Sequence, residues 1–226
     1  MPLSPHPDKA LLLQAALTHV PFDGWSEPCF KAAAADIAMP IDQARALCPR
    51  GAVDLAIAHH KEGDRRMRQE LDHTDLAQLR FSERITHAVR LRIEAAQDKE
   101  ILRRGTTLFA LPQYAPDGAA LIWATCDDIW RHLGDQSTDF NWYTKRATLA
   151  AVYSATLLFW LGDASEDGAD TWAFLDRRIA DVMQIEKAKA KFRQSPKLMR
   201  LFSAPAKLVG QIRAPAPPND LPGRWG

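Results

Sequence analysis

Between Ser137 and Leu161 the chain runs "STDFNWYTKRATLAAVYSATLLFWL" with no glycine or proline before Gly162. Ser137, Thr138 and Asp139 can each accept a hydrogen bond from the free N–H groups at a helix start, so the segment reads as one capped helix. After Arg146 it is apolar on nearly every side, and the rest of the chain has to pack around it. Its first turns place Asp139, Trp142, Tyr143 and Arg146 at offsets of 0, 3, 4 and 7. One face therefore combines two large aromatics, a carboxylate and a guanidinium. An exposed cluster of this kind would suit a protein-docking hot spot, whereas burial would make it plain core.

Helical periodicity extends through almost the whole chain. Apolar spacing near 3.6 predicts helices over 8–19, 28–38, 41–47, 51–62, 64–79, 82–104, 105–112, 118–133, 139–161, 169–193 and 196–212. They are punctuated by "PFDG", "MP", "CPRG", "LPQYAPDG" and "LGDASEDG". No stretch alternates as a strand does, so the expected class is all-α. In 82–104, Ile85, Val89, Ile93 and Ala96 form the inward stripe, with Arg84, Arg92, Arg103 and Arg104 mostly outward. The expected organisation is an amino-terminal part over 1–63, a helical part over 64–193, a basic amphipathic helix over 194–213 and a loose Pro- and Gly-rich tail over 214–226.

Charge is distributed unevenly. The formal net charge of the chain is +1, but residues 1–63 carry five basic against seven acidic side chains, and residues 187–213 carry eight basic and no acidic ones. The amino-terminal order of helix, turn, helix, short helix and longer helix looks like a helix-turn-helix opening of the TetR type. Its candidate recognition segment, "IDQARAL", offers only Arg45 as a cation. Phosphate neutralisation supplies much of the affinity of such modules, so the charge argues against nucleic acid as a partner. A TetR-type transcriptional regulator stands as the alternative function.

Catalytic chemistry finds little support. His59 and His60 are adjacent and point to different sides of a helix, and Glu70 with His73 is the one Glu-x-x-His pair, where a di-iron bundle needs two. Nucleophile-elbow, zincin and phosphate-loop motifs do not occur. Cys29, Cys48 and Cys126 include no C-x-x-C pair, which suggests neither a disulfide framework nor a zinc site, and a reducing compartment. No metal, cofactor or catalytic residue is expected. No run approaches a membrane span, and the amino terminus lacks targeting character, so the expectation is a bacterial-type cytoplasmic protein.

Trp123, Trp130, Trp142, Trp160 and Trp172 fall between residues 118 and 174. They suit either a core of large side chains or an apolar cavity for a hydrophobic ligand, for which Trp123, Leu149, Val152, Tyr153, Thr156 and Leu157 are candidate lining. Near the carboxyl end Leu198, Leu201, Phe202, Leu208, Val209 and Ile212 share one helical stripe, while Lys197, Arg200 and Lys207 gather opposite. That pattern suits the headgroup layer of an anionic membrane, or a core-capping or dimer-contact helix, with Pro205 as a kink.

The segments "LRIEAAQDKEILRRGTTLFALP", "DDIWRHLGDQSTDFNWYTKRATLAAVY" and "DTWAFLDRRI" resemble the Coq-nine family, the accessory lipid-binding proteins of ubiquinone (coenzyme Q) biosynthesis. The resemblance runs from about Arg80 to Arg193, most specifically in "STDFNWYTKR". It implies a TetR-like all-α homodimer, without catalytic activity of its own, that binds an isoprenoid quinone or precursor lipid in place of DNA. It further implies peripheral attachment to the inner membrane and help to a late-pathway hydroxylase, the di-iron enzyme acting on demethoxyubiquinone or an equivalent. By motif the docking patch would be Asp139, Trp142 and Tyr143, with Arg146 added from spacing alone. The family's membrane-binding helix is similar to 196–212 here.

Overall fold

A computed structural model describes residues 7–96, 98–193 and 213–215. Nine α-helices and one 3₁₀ turn make up these residues, with no strand among them, and the all-α expectation holds. The helices are α1 (Pro7–Asp23), α2 (Glu27–Asp36), α3 (Ile41–Leu47), α4 (Ala52–His73), α5 (Phe81–Glu94), α6 (Lys99–Ala110), α7 (Ala115–His132), α8 (Phe140–Gly162) and α9 (Ala169–Arg193), with the 3₁₀ turn at Glu166–Gly168. The expected helix over 196–212 and most of the expected tail lie outside the described residues.

Local chemistry accounts for several boundaries. Ser26 caps α2, accepting from the Cys29 N–H at 3.3 Å, and Pro28 sits in the first turn, where its missing N–H costs nothing. Periodicity alone runs 82–104 together, but the chain breaks before Asp98, whose carboxylate accepts from the N–H groups of Glu100 and Ile101 at 2.7 and 3.1 Å and starts a new helix. After α7, Gly134 takes φ +79°, a left-handed conformation that favours glycine; the Asp135 N–H closes onto the Trp130 carbonyl at 2.9 Å. This turn aims Asp135 back at α8.

Two apolar clusters form the interior. The first joins α1, α2, α3, the start of α4, and Ile101 and Leu108 of α6. The second joins the end of α4 with α5, α7, α8 and α9. Helix α4 passes through both without interruption at Gly63, where sequence spacing divides it. Between the clusters lies a buried ion pair. Arg92 of α5 is 2% exposed and Asp64 of α4 is 4% exposed. The Arg92 Nε–H donates to Asp64 Oδ1 at 2.6 Å and Nη2 donates to the His60 carbonyl at 3.0 Å. Thr125 Oγ1 of α7 donates to the same carboxylate oxygen at 2.8 Å. Arg92 is thus inside and not on the outward face that its spacing suggested, because a partner on another helix outweighs the local stripe. Ile85, Val89, Ile93 and Ala96 are buried as that stripe requires.

Gly63 makes the pair possible. A Cβ there would stand 2.8 Å from Arg92 Nη1 and 2.9 Å from Cζ. Replacing glycine by alanine inside a helix ordinarily gains about 1 kcal/mol. Gly63→Ala is instead expected to lower stability by about 1–3 kcal/mol, since the pinned guanidinium has to move. Asp64→Ala, which leaves that guanidinium unpaired, should cost about 3–5 kcal/mol in urea unfolding. A stability gain in Gly63→Ala would show that Arg92 relocates freely.

Candidate functional site

Side chains from α1, α4, α6, α7 and α8 enclose a cavity of about 460 Å³ between the two apolar clusters. Helix α6 supplies Ile101, Leu102, Gly105, Thr106 and Phe109, a single helical stripe centred on a residue without a side chain. Leu13 and Leu17 of α1, and Leu121 and Ile122 of α7, extend the apolar wall. Tyr153, Ser154, Leu157 and Leu158 come from α8, with Leu158 60% exposed at the rim. Helix α4 contributes the polar side, with His59, His60 and Gly63 in front of Arg92.

Of the six residues expected to line a cavity, Tyr153 and Leu157 do so. The other four are corrections. Leu149 and Val152 face the second apolar cluster. Thr156 is buried with its hydroxyl donating to the Val152 carbonyl at 2.8 Å. Trp123 lies instead with Trp142 and Tyr143, at ring-centroid distances of 5.8 and 6.4 Å. The helix is the one expected, rotated so that its cavity side runs through Tyr153 and Leu157. What sequence reasoning missed is the contribution of α1, α4 and α6. Two signals were present: the adjacent His59–His60 and the small residue at the centre of the α6 stripe.

The histidines are held neutral. Burial, with Arg92 and Arg66 adding repulsion, pushes the His59 imidazole down to about 4. Burial and the Arg92 charge likewise push His60 well below its ordinary range. The His60 Nε2 and the Thr125 hydroxyl share a hydrogen bond at 3.0 Å. Among the described residues no group of three or more His, Cys, Asp or Glu side chains is placed to hold a metal ion. The three cysteines are buried free thiols.

At the other end of α8, Asp139 caps the helix, accepting from the Asn141 N–H at 3.0 Å. The Trp142 and Tyr143 rings meet edge to face at 4.7 Å, and both residues are half-buried. Arg146 does not share their exposed face. Its side chain is 1% exposed, donating from Nε to Asp127 at 2.6 Å and from Nη1 to Asp135 and to the Trp142 carbonyl, both at 3.0 Å. Its guanidinium also stands 4.0 Å from the Trp142 ring centroid. Spacing brought it to the right helix face, and two acidic side chains draw it inward beneath the aromatics. Burial opposes the charge of Asp135, but hydrogen bonds from Lys145, Ser137 and Arg146 outweigh it and hold that carboxyl at about 2. Residues 213–215 return to this end: the Tyr143 hydroxyl donates to the Arg213 carbonyl at 3.3 Å and the Ala214 N–H to the Thr138 carbonyl at 2.9 Å. The membrane-facing residues expected within 196–212 lie outside the described residues.

The lowered histidines set a sign for acid sensitivity. The unfolded chain protonates its histidines near 6.5, whereas the folded protein leaves His59 neutral until about pH 4, so unfolding takes up protons throughout that interval. Stability is therefore expected to be full above about pH 6.5 and to fall as pH drops towards 4. His59→Gln should flatten the decline in Tm over this window relative to the parent protein, and an unaltered slope would show that His59 does not carry it.

The COQ9 family model matches residues 115–186, the stretch that contains both the aromatic cluster and the α8 wall of the cavity. The human mitochondrial ubiquinone biosynthesis protein COQ9 is 32% identical over 182 residues, covering 77% of this chain and 57% of that protein. The Xenopus tropicalis protein of the same name is 34% identical over 180 residues, covering 76% and 56%. The rat protein is 49% identical over 82 residues, covering 36% and 26%, so the chain spans only part of the length of these relatives. In fold, the chain is similar to a TetR transcriptional regulator from Nitrosomonas europaea, with a TM-score of 0.65 at 21% identity, covering 77% of this chain and 97% of that one. Across α7 to α9 the chain is thus similar in sequence to the COQ9 family, and its helices are arranged on a TetR-like framework.

Proposed function

We propose that the protein is a lipid-binding accessory factor of ubiquinone biosynthesis, without catalytic activity of its own, that takes up a polyprenyl quinone intermediate and presents it to the late-pathway hydroxylase acting on demethoxyubiquinone. The observation that carries this reading is the cavity, about 460 Å³ with apolar walls on four helices and a rim at Leu158. Its size is that of a small-molecule site, and its wall suits an isoprenoid chain. The relatives' names place COQ9 proteins in ubiquinone biosynthesis.

The helix-turn-helix portion supports a role other than DNA recognition. Arg45, the one cation of α3, donates to Glu27 at 2.5 Å, and Arg50 is held by Asp54 and Asp117, each at 3.0 Å. Cations already engaged by neighbouring carboxylates are poorly placed to neutralise phosphates. An apolar strip on α8 and α9 supports a homodimer. Phe159 is exposed and stacks on Phe174 at 4.7 Å, close to exposed Leu158. No described helix is long and apolar enough to cross a membrane, and attachment at the inner-membrane surface is assigned to the basic amphipathic segment 196–212.

Asp139, Trp142 and Tyr143 are the proposed hydroxylase-docking face, with Arg146 as the buried support beneath it. Trp142→Ala or Tyr143→Ala is expected to weaken hydroxylase binding by about 2 kcal/mol while the melting transition stays cooperative. Arg146→Ala, which leaves Asp127 with Arg131 and Asp135 with Lys145 and Ser137, should lose about 1–3 kcal/mol of fold stability. A Trp142→Ala protein that fails to fold would make the aromatic pair core. For the cavity, the protein purified from a ubiquinone-making host and extracted with organic solvent should release near-stoichiometric isoprenoid quinone or a late precursor, read by mass spectrometry. A clean extract from folded protein would remove the lipid reading.

A further inference from the structure

Trp25, at the joint between α1 and α2, is 7% exposed and lines the cavity. Its indole Nε1–H has no hydrogen-bonding partner among the described residues, although a buried indole N–H usually finds one. The nearest feature is an empty one: a Cβ added at Gly105 would stand 3.6 Å from that nitrogen. Gly105 thus lets α6 come up close to the indole, and both residues belong to the same cavity wall. The His59 ring lies beside Trp25, with centroids 5.8 Å apart. A neutral imidazole carries one donor and one acceptor, so the two rings together form a neutral hydrogen-bonding corner of the cavity.

The charges around this corner cancel. The guanidiniums in the lining are those of Arg66 and Arg92. Arg66 donates to Glu62 at 3.2 Å, and Arg92 donates to Asp64 at 2.6 Å. Asp98, also in the lining, is occupied in capping α6. A carboxylate or phosphate entering here would be desolvated without finding a free cation among the described residues, a cost that an uncharged oxygen does not meet.

From this corner we infer that Trp25 and His59 are the head-group end of the cavity. They take a carbonyl or hydroxyl oxygen of an uncharged lipid head, such as a quinone or phenol, and the site refuses anionic lipids of similar tail length. The inference rests on the lipid-binding reading above and adds its polarity, its contact residues and the class of head it selects. With the head at Trp25, the tail runs along the α6 stripe towards the rim at Leu158.

The test uses the full chain and three probes of matched tail length: a short-tailed benzoquinone, a fatty acid and the plain alkane, each titrated calorimetrically. The quinone should bind most tightly and the fatty acid no better than the alkane. Trp25→Phe should weaken the quinone about five- to tenfold, the worth of one hydrogen bond, and leave the alkane unchanged. A second readout does not depend on the variant's stability. In protein labelled with nitrogen-15 at tryptophan, the Trp25 indole N–H resonance, identified by its loss in Trp25→Phe, should move on adding the quinone and stay in place on adding the alkane. Quinone binding with that resonance unmoved would overturn the head-group assignment while the lipid reading stood. Tighter binding of the fatty acid than of the quinone would overturn the selection for neutral heads. Binding of none of the three probes would overturn the cavity reading and this inference with it.

Discussion

The pair between Asp64 and Arg92 ties together three helices, α4, α5 and α7, beside the apolar cluster that they share. Removing two charges from water is expensive, and the cost is offset only where the geometry is close and the remaining donors and acceptors are met. Here the carboxylate receives Arg92 and Thr125, while the guanidinium reaches the His60 carbonyl at 3.0 Å as well. Each partner comes from a different element, so the relative placement of α4, α5 and α7 follows from satisfying one carboxylate. Gly63 is absent of side chain where the guanidinium passes. The cavity sits against this junction, and its polar side is neutral because the junction is internally balanced.

A second buried guanidinium works in the same way at the far end of α8. Arg146 meets Asp127 from α7 and Asp135 from the turn that Gly134 opens. Those contacts fix the first turn of α8 against α7 and bring Trp123 up to the Trp142–Tyr143 pair. The aromatic face owes its rigidity to a charge network underneath it. Hot-spot aromatics work best when they are already held in place before a partner arrives, since less side-chain freedom is then lost on binding.

Helix existence was legible because it depends on local spacing. Helices α3, α8 and α9 fall within a residue of their expected limits, and the order of α1 to α4 exposed the TetR-like architecture. Arg92 reads as outward because a charged residue is expected to face water, and a docking role for Arg146 needs it exposed; the acidic partners that draw both inward lie outside their own helices. The break before Asp98 was hidden because apolar spacing continues through it, whereas the deciding contact is a side-chain cap. Of the expected cavity lining, α8 supplies Tyr153 and Leu157. Leu149 and Val152 are as apolar, and they pack into the second cluster with residues of four other helices. Trp25 and His59 could not be joined from sequence, because the approach of α4 to the α1–α2 joint is a property of the assembled fold.

The TetR-like framework and its altered amino-terminal part fit one physical account. In α3 the available cation is engaged with Glu27, and the next one along, Arg50, reaches across to Asp117 on α7. The first bond joins α3 to α2, and the second fastens the helix-turn-helix portion onto α7. The cavity is lined from both sides of that seam, with Leu13, Trp25 and Ala56 from the first cluster and Tyr153 and Leu157 from the second. A ligand that fills it touches both clusters at once, and ligand that binds the folded state alone stabilises whatever it touches. The helix-turn-helix-like portion is thereby part of the cavity wall.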